Sequence, residues 1–132
     1  MSVVVGYVPT PEGEAALDHA IREVVQRQSR LVVVNTSRGD AIVDQRYAQP
    51  EQVNRMEGRL DAAGVEHLLL HSIRGNDAAV EILDAAAAHR ADLIVLGIRK
   101  RTPVGKLVMG STAQRVLLEA RCPVLAVKAA SS

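Results

Sequence analysis

Residues 91–128 read Ala91-Asp-Leu-Ile-Val-Leu-Gly97, then Ile-Arg-Lys-Arg-Thr-Pro-Val-Gly-Lys-Leu-Val-Met-Gly110, then Ser-Thr-Ala-Gln-Arg-Val-Leu-Leu-Glu-Ala-Arg-Cys-Pro123 and Val-Leu-Ala-Val-Lys128. The run Leu93 to Leu96 is short, apolar and closed by Gly97, which predicts a buried strand. Ser111-Thr112-Ala113-Gln114 fits a capping box, and Val116, Leu117 and Ala120 continue a helix that Pro123 stops. Val124 to Lys128 is a second apolar run. A strand, a helix and a further strand in this order form a crossover unit, which pairs its strands in parallel.

The same alternation extends towards the start of the chain. Val3 to Val5, closed by Gly6, predicts a first strand. Thr10-Pro11-Glu12 then supplies a capping hydroxyl, a proline suited to the first helical position and an acid in the first turn. Leu17, Ala20, Ile21, Val24 and Val25 recur at helical spacing. Leu31 to Asn35 predicts the second strand, and Thr36 to Ala48 a long polar connection. Pro50 opens a helix with Val53, Met56 and Leu60 on one face, which Gly64 ends. Val65 to His71 predicts the third strand. Asn76 or Asp77 caps a third helix whose inner face is Ala79, Ile82, Leu83 and Ala86. Five strands separated by four helices give an α/β fold, a doubly wound parallel sheet with helices on both faces. Ligands of such sheets sit beyond the carboxyl ends of the strands, where the winding direction reverses.

The composition agrees with one domain. The chain has 132 residues, 48% of them hydrophobic and 23% charged, against a usual domain of about 100 to 200 residues. Disorder is excluded, because it requires low hydrophobicity and high net charge. No stretch approaches the roughly 18 consecutive apolar residues of a membrane span. Val3 to Val5 is short for a signal-peptide core and lacks a basic leader, so a cytoplasmic protein is expected. Cys122 is the lone cysteine and excludes an internal disulfide framework. There is no Phe or Trp, and Tyr7 and Tyr47 are the only aromatics. Ala, Val, Leu and Ile must fill the core, and the composition does not suit a surface that stacks bases on aromatic rings.

Charge is uneven. Residues 1–95 carry nine basic and fourteen acidic side chains, net −5, whereas residues 96–132 carry seven and one, net +6. The basic third suits phosphate. Gly97, the basic loop with Arg99, Lys100, Arg101 and Lys106, and Gly110-Ser111-Thr112 at a helix start together suit a phosphate site. Glycine lets backbone approach closely, and free N–H groups with the positive end of the helix dipole face the anion. As a Walker loop the segment fails, because Leu107 follows Lys106 and Lys100 stands where the first glycine belongs. A dinucleotide fingerprint is missing after Gly6. A response-regulator receiver would need acids where Tyr7, Val8 and Ser72 stand. His19, His67, His71 and His89 make no ligand set, since His67 and His71 are four apart on a strand, roughly 13 Å. Without a histidine nearby in sequence, Cys122 reads as a small core filler.

The segment from Ala91-Asp-Leu-Ile-Val-Leu-Gly97 through Gly110-Ser111 to Cys122-Pro-Val-Leu-Ala-Val resembles the universal stress protein family. Glu14-Ala-Ala-Leu17 and Gly75-Asn-Asp agree, so the resemblance covers residues 1–132. It implies a Rossmann-like domain of the adenine nucleotide alpha hydrolase-like kind, strand order 3-2-1-4-5. ATP-binding members carry a glycine, two residues, a glycine, nine residues, a glycine and then Ser or Thr. Gly97, Gly110 and Ser111 match, whereas Lys100 takes the place of the middle glycine. The family's acid after the first strand aligns with Val8.

The resemblance implies ATP or AMP, with or without magnesium, its adenosine end against Val8, Asn35 and Gly97. Its phosphates would lie at Gly110, Ser111 and Thr112, with Arg99 and Lys100 adding charge. It further implies a homodimer paired through Val124–Val127 and a regulatory role towards a protein partner in the stress response, with no catalysis beyond slow hydrolysis. The departures at Lys100 and Val8 leave a second reading, a family member that has lost nucleotide and acts through protein–protein contact. The missing aromatics argue against nucleic acid.

Overall fold

The computed structural model describes residues 1–36, 50–71, 77–98 and 110–129. Nine elements follow in order: β1 (Ser2–Tyr7), α1 (Pro11–Arg27), β2 (Arg30–Asn35), α2 (Pro50–Ala62), β3 (His67–His71), α3 (Ala78–Ala88), β4 (Ala91–Ile98), α4 (Ser111–Glu119) and β5 (Val124–Lys128). All strand pairs are parallel, in the order β3-β2-β1-β4-β5. The register of the central pair sets Val5 against Val95 and Gly6 against Leu96.

Both faces of the sheet are covered, which is why its strands are nearly all apolar. Side chains alternate across the pleat. Val3, Val5, Tyr7, Leu31, Val33, Leu93 and Val95 face the layer made by Leu17, Ala20 and Val24 of α1 with Val53, Met56 and Leu60 of α2. Val4, Val32, Val34, Ile94, Leu96 and Ile98 face Ala79, Ile82 and Ala85 of α3 with Ala113 and Val116 of α4. Leu83 and Ala86 are partly buried against that second layer. No described helix is long and apolar enough to cross a membrane.

Local signals fix most helix ends. Thr10 caps α1, its Oγ1 accepting from the Gly13 N–H at 3.1 Å with Pro11 at the first helical position. Asp77 caps α3, Oδ1 accepting from Ala79 N–H at 2.8 Å. Gly64, at φ +70°, closes the turn after α2. Gln28 (φ 53°) and Arg90 (φ 51°) turn left-handed at the ends of α1 and α3 without being glycine.

Several expected boundaries move. β1 continues through Gly6 to Tyr7, and β4 runs from Ala91 to Ile98 with Gly97 inside it, paired with Val127. Neither glycine ends its strand, because the ladder to the neighbouring strand continues past it. β3 begins at His67, two residues late, since Val65 N–H is still bonded to Leu60 O at 3.0 Å in the turn after α2. α4 is capped by Gly110 rather than Ser111, and it stops at Glu119, before Pro123. Val25 is 55% exposed rather than on the inner face of α1. The connection 36–48 lies outside the described residues apart from Thr36, and so does Asn76.

Candidate functional site

The chain leaves β1 towards β2 and leaves β4 towards β5, while β1 and β4 are themselves adjacent. The winding direction therefore reverses between them, and a crevice at the carboxyl ends of such a pair is the usual ligand position in an open parallel sheet. Val8 follows β1, Asn35 ends β2 in register with Tyr7, Gly97 lies near the end of β4, and Gly110, Ser111 and Thr112 open α4. The topology thus brings these six sequence-derived positions to one edge of the sheet. Arg99 and Lys100 lie outside the described residues, as do Arg101 and Lys106.

The β1 side of this edge is tightly fastened. Val8 O accepts from Thr10 N–H at 2.9 Å, and Thr10 O from Glu14 N–H at 2.8 Å. A Cβ on Gly13 would fall on the Val8 carbonyl oxygen, with the carbonyl carbon only 2.8 Å away. The first turn of α1 then crosses onto β4. A Cβ on Gly97 would fall on the Glu12 carbonyl, whose carbon lies 2.5 Å from that position and whose Cβ lies 3.1 Å from it. Gly97 was expected to let a ligand approach; on that face the group it admits is the backbone of α1.

The helix starts that follow β1 and β4, those of α1 and α4, differ in electrostatics. At α1, Thr10 takes one N–H, Pro11 has none, and Glu12 and Glu14 offset the positive end of the dipole. At α4 there is no side-chain cap and no acid in the first turn. Gln114 N–H bonds back to Gly110 O at 3.0 Å, so the N–H groups ahead of it have no partner inside the helix. A Cβ on Gly110 would meet no described residue within 4 Å, and its φ of −67° is open to any residue. Among the described residues, then, neither packing nor backbone conformation demands glycine there. Ser111 is exposed and Thr112 half-buried. Arg115, one turn on, is committed to Asp77 at 3.2 Å and Glu119 at 2.9 Å.

Behind the crevice the polar groups are already engaged. Asn35 is fully buried, and its Nδ2 donates to His71 Nδ1 at 3.4 Å. Thr36 donates to Tyr7 O from its N–H at 3.1 Å and from its hydroxyl at 3.4 Å. Tyr7 donates its hydroxyl to Glu14, which also accepts from Arg59 at 2.9 Å, and Arg59 reaches Asp18 as well. Burial, and then the Glu14 carboxylate, push the Tyr7 phenol well above its ordinary value. This chain from β1 through α1 to α2 was not read from the sequence, where Tyr7 drew notice as a rare aromatic and as a residue standing in place of a receiver's acid.

Cys122 is half-buried at the opposite edge, in a groove of about 510 Å³ lined by Leu83, Ala86, Ile94 and Ala120. Burial, with the charge of Asp92, pushes its thiol up, away from the thiolate a nucleophile needs. No group of three or more His, Cys, Asp or Glu among the described residues is placed to hold a metal. Among the described residues the crevice has an acid-free helix start with no side-chain cap on one side and a well-packed wall carrying Glu12 and Glu14 on the other.

The sequence and fold were compared with known proteins. A family model described as "Universal stress protein family" matches residues 1–128. A universal stress protein of Mycolicibacterium smegmatis is 47% identical over 126 residues, covering 96% of each chain. The structure of a universal stress protein from Archaeoglobus fulgidus superposes with a TM-score of 0.80 at 30% identity, covering 97% of this chain and 98% of that one. A structure of the universal stress protein from the same organism in complex with dAMP has a TM-score of 0.64 at 25% identity, again covering 97% and 98%. The five parallel strands in the order β3-β2-β1-β4-β5 with their flanking helices agree with this match along nearly the whole length. The chain belongs to the universal stress protein family.

Proposed function

We propose that the 132 residues act as one nucleotide-binding regulatory domain of the stress response, taking ATP or AMP, with or without magnesium, in the crevice between the loops after β1 and β4. The observation that carries this reading is the contrast between the two helix starts. Among the described residues, only the α4 start combines N–H groups without an intrahelical partner, no first-turn acid and space around Gly110, which is the chemistry an anion requires. The phosphates lie at Gly110, Ser111 and Thr112, helped by Arg99 and Lys100 of the basic loop. The nucleoside end lies towards Val8, Asn35 and Gly97. The relative in complex with dAMP supports an adenine nucleotide as the ligand class. The role is binding, not catalysis, and any hydrolysis is slow and incidental.

The active unit is a homodimer paired through Val124–Val127 of β5. Among the described strands β5 pairs only with β4, so one row of its backbone groups is left for a second copy. The dimer presents a ligand-dependent surface to a protein partner. A monomer mass at every concentration in sedimentation would refute this part.

Calorimetric titration of nucleotide-stripped protein tests the site, with Gly110→Asp as the decisive variant. Aspartate is a favoured cap and meets open space, so the variant folds while its carboxylate occupies and repels the phosphate position. Micromolar binding by the parent and at least tenfold weaker binding by the variant are expected; equal affinities refute the placement. Val8, an apolar residue at the β1 end of the crevice, favours a second reading, in which the domain acts through protein contacts without nucleotide. No heat and no thermal shift up to millimolar ATP and AMP would decide for it.

A further inference from the structure

The α1 wall of the crevice carries one carboxylate that nothing else in the described structure uses. Helix α1 has four acids: Glu12, Glu14, Asp18 and Glu23. Glu14 accepts from Tyr7 and Arg59, Asp18 from Arg59, and Glu23 from Arg27 at 3.0 Å. Glu12 alone makes no side-chain hydrogen bond or ion pair among the described residues. It is half-buried, with its backbone seated on Gly97 and its Cβ 3.1 Å from where a Cβ on Gly97 would stand. Glu12 therefore follows β1 in sequence yet rests on the end of β4, at the point where the winding reverses.

The helix dipole favours an acid in this turn, but Glu14 already supplies one with two partners. An ionised carboxylate only accepts hydrogen bonds, and its two oxygens match a pair of adjacent donors. It repels phosphate, so it belongs at the uncharged end of a nucleotide. There the ligand's own adjacent donors are the 2′ and 3′ hydroxyls of ribose. Val8 offers them no side-chain acceptor, and Asn35 is buried with its amide on His71.

We infer that Glu12 is the residue that reads the sugar of the bound nucleotide, so that the crevice prefers ribonucleotides to 2′-deoxyribonucleotides. This rests on the nucleotide reading above and assigns a specificity residue to the same site. A hydrogen bond to a charged acceptor changes affinity by roughly tenfold or more, and the 2′ hydroxyl is the group at stake.

The test is calorimetric titration of the parent and of Glu12→Gln with AMP and with dAMP. The parent should bind AMP roughly tenfold more tightly than dAMP. In the variant the two affinities should converge to within about twofold, dAMP, which keeps only the 3′ hydroxyl, should lose less affinity than AMP, and the melting temperature should move by about 2 °C or less. Three results overturn the assignment: no discrimination by the parent, discrimination that persists in Glu12→Gln, or a variant that tightens on both nucleotides together, which would put the carboxylate beside phosphate. If the parent binds neither nucleotide, the nucleotide reading fails first and the assignment with it, a result distinct from the other three.

Discussion

Replacing Gly13 with alanine sets two physical effects against each other. Alanine is the better helix former by about 1 kcal/mol, so a helical glycine is ordinarily a weak point. At Gly13 the new methyl would land on the Val8 carbonyl, its carbon 2.8 Å away where ordinary contact begins at 3.4 Å. Both groups are backbone, so no side chain can swing aside. Relief requires the loop after β1 to open, which strains the Thr10–Val8 bond of 2.9 Å and the Gly13–Thr10 cap of 3.1 Å. Overpacking costs about 1–3 kcal/mol, and one hydrogen bond lost with it about 1 kcal/mol. After the helix gain is subtracted, a net loss of about 1–3 kcal/mol remains. With a urea slope of about 1–3 kcal/mol/M, the unfolding midpoint followed by far-UV circular dichroism should fall by roughly 1 M. Gly58, exposed in α2 with nothing within 4 Å, is the control. Gly58→Ala should raise the midpoint, by about 0.5–1 kcal/mol of stability. A Gly13→Ala midpoint at or above that of the parent would refute the packing of the α1 start against β1.

Two further outcomes follow from groups described above. The Tyr7 phenol is held above its ordinary value of 10.0 by burial and by Glu14, so the folded state keeps this proton more tightly than the unfolded chain does. Stability from Tyr7 is complete below about pH 10 and falls as pH rises beyond it. In a Tyr47→Phe variant the phenolate absorbance should emerge only with unfolding, and a band near pH 10 from folded protein would contradict this. Asp77→Ala removes the α3 cap, about 1 kcal/mol, which should lower Tm by roughly 2–6 °C. Asp77→Asn keeps a capping oxygen and loses only the exposed ion pair with Arg115, so it should cost less; equal losses would move the effect from the cap to the ion pair.

The fold was legible because its signals are local. Apolar runs of strand length, Thr10-Pro11, Asp77 and Gly64 each act within a few residues, and all nine elements emerge from such patterns. Local rules mislead at Gly6 and Gly97. There a residue that weakens isolated strands is retained by cross-strand pairing and, at Gly97, by the helix turn resting on it. Ser111 looks like a cap by residue type, yet Gly110 takes the capping conformation and Ser111 becomes the first helical residue. The site was legible only in outline. Val8, Asn35, Gly97, Gly110, Ser111 and Thr112 reach one edge because topology carries strand ends there. Glu12 was read as an ordinary first-turn acid. Its position depends on α1 crossing onto β4, a long-range contact that no window of sequence contains.

The core is built from aliphatic layers, with Tyr7 the one aromatic side chain buried in it among the described residues, and the whole chain holds two tyrosines with no tryptophan or phenylalanine. Such a protein absorbs only weakly in the near ultraviolet and has no tryptophan emission. A purine ring carried through purification would dominate its absorbance spectrum. Occupancy can therefore be read directly from freshly purified material, without a label, and loss of the purine band on stripping serves as the zero point for every titration.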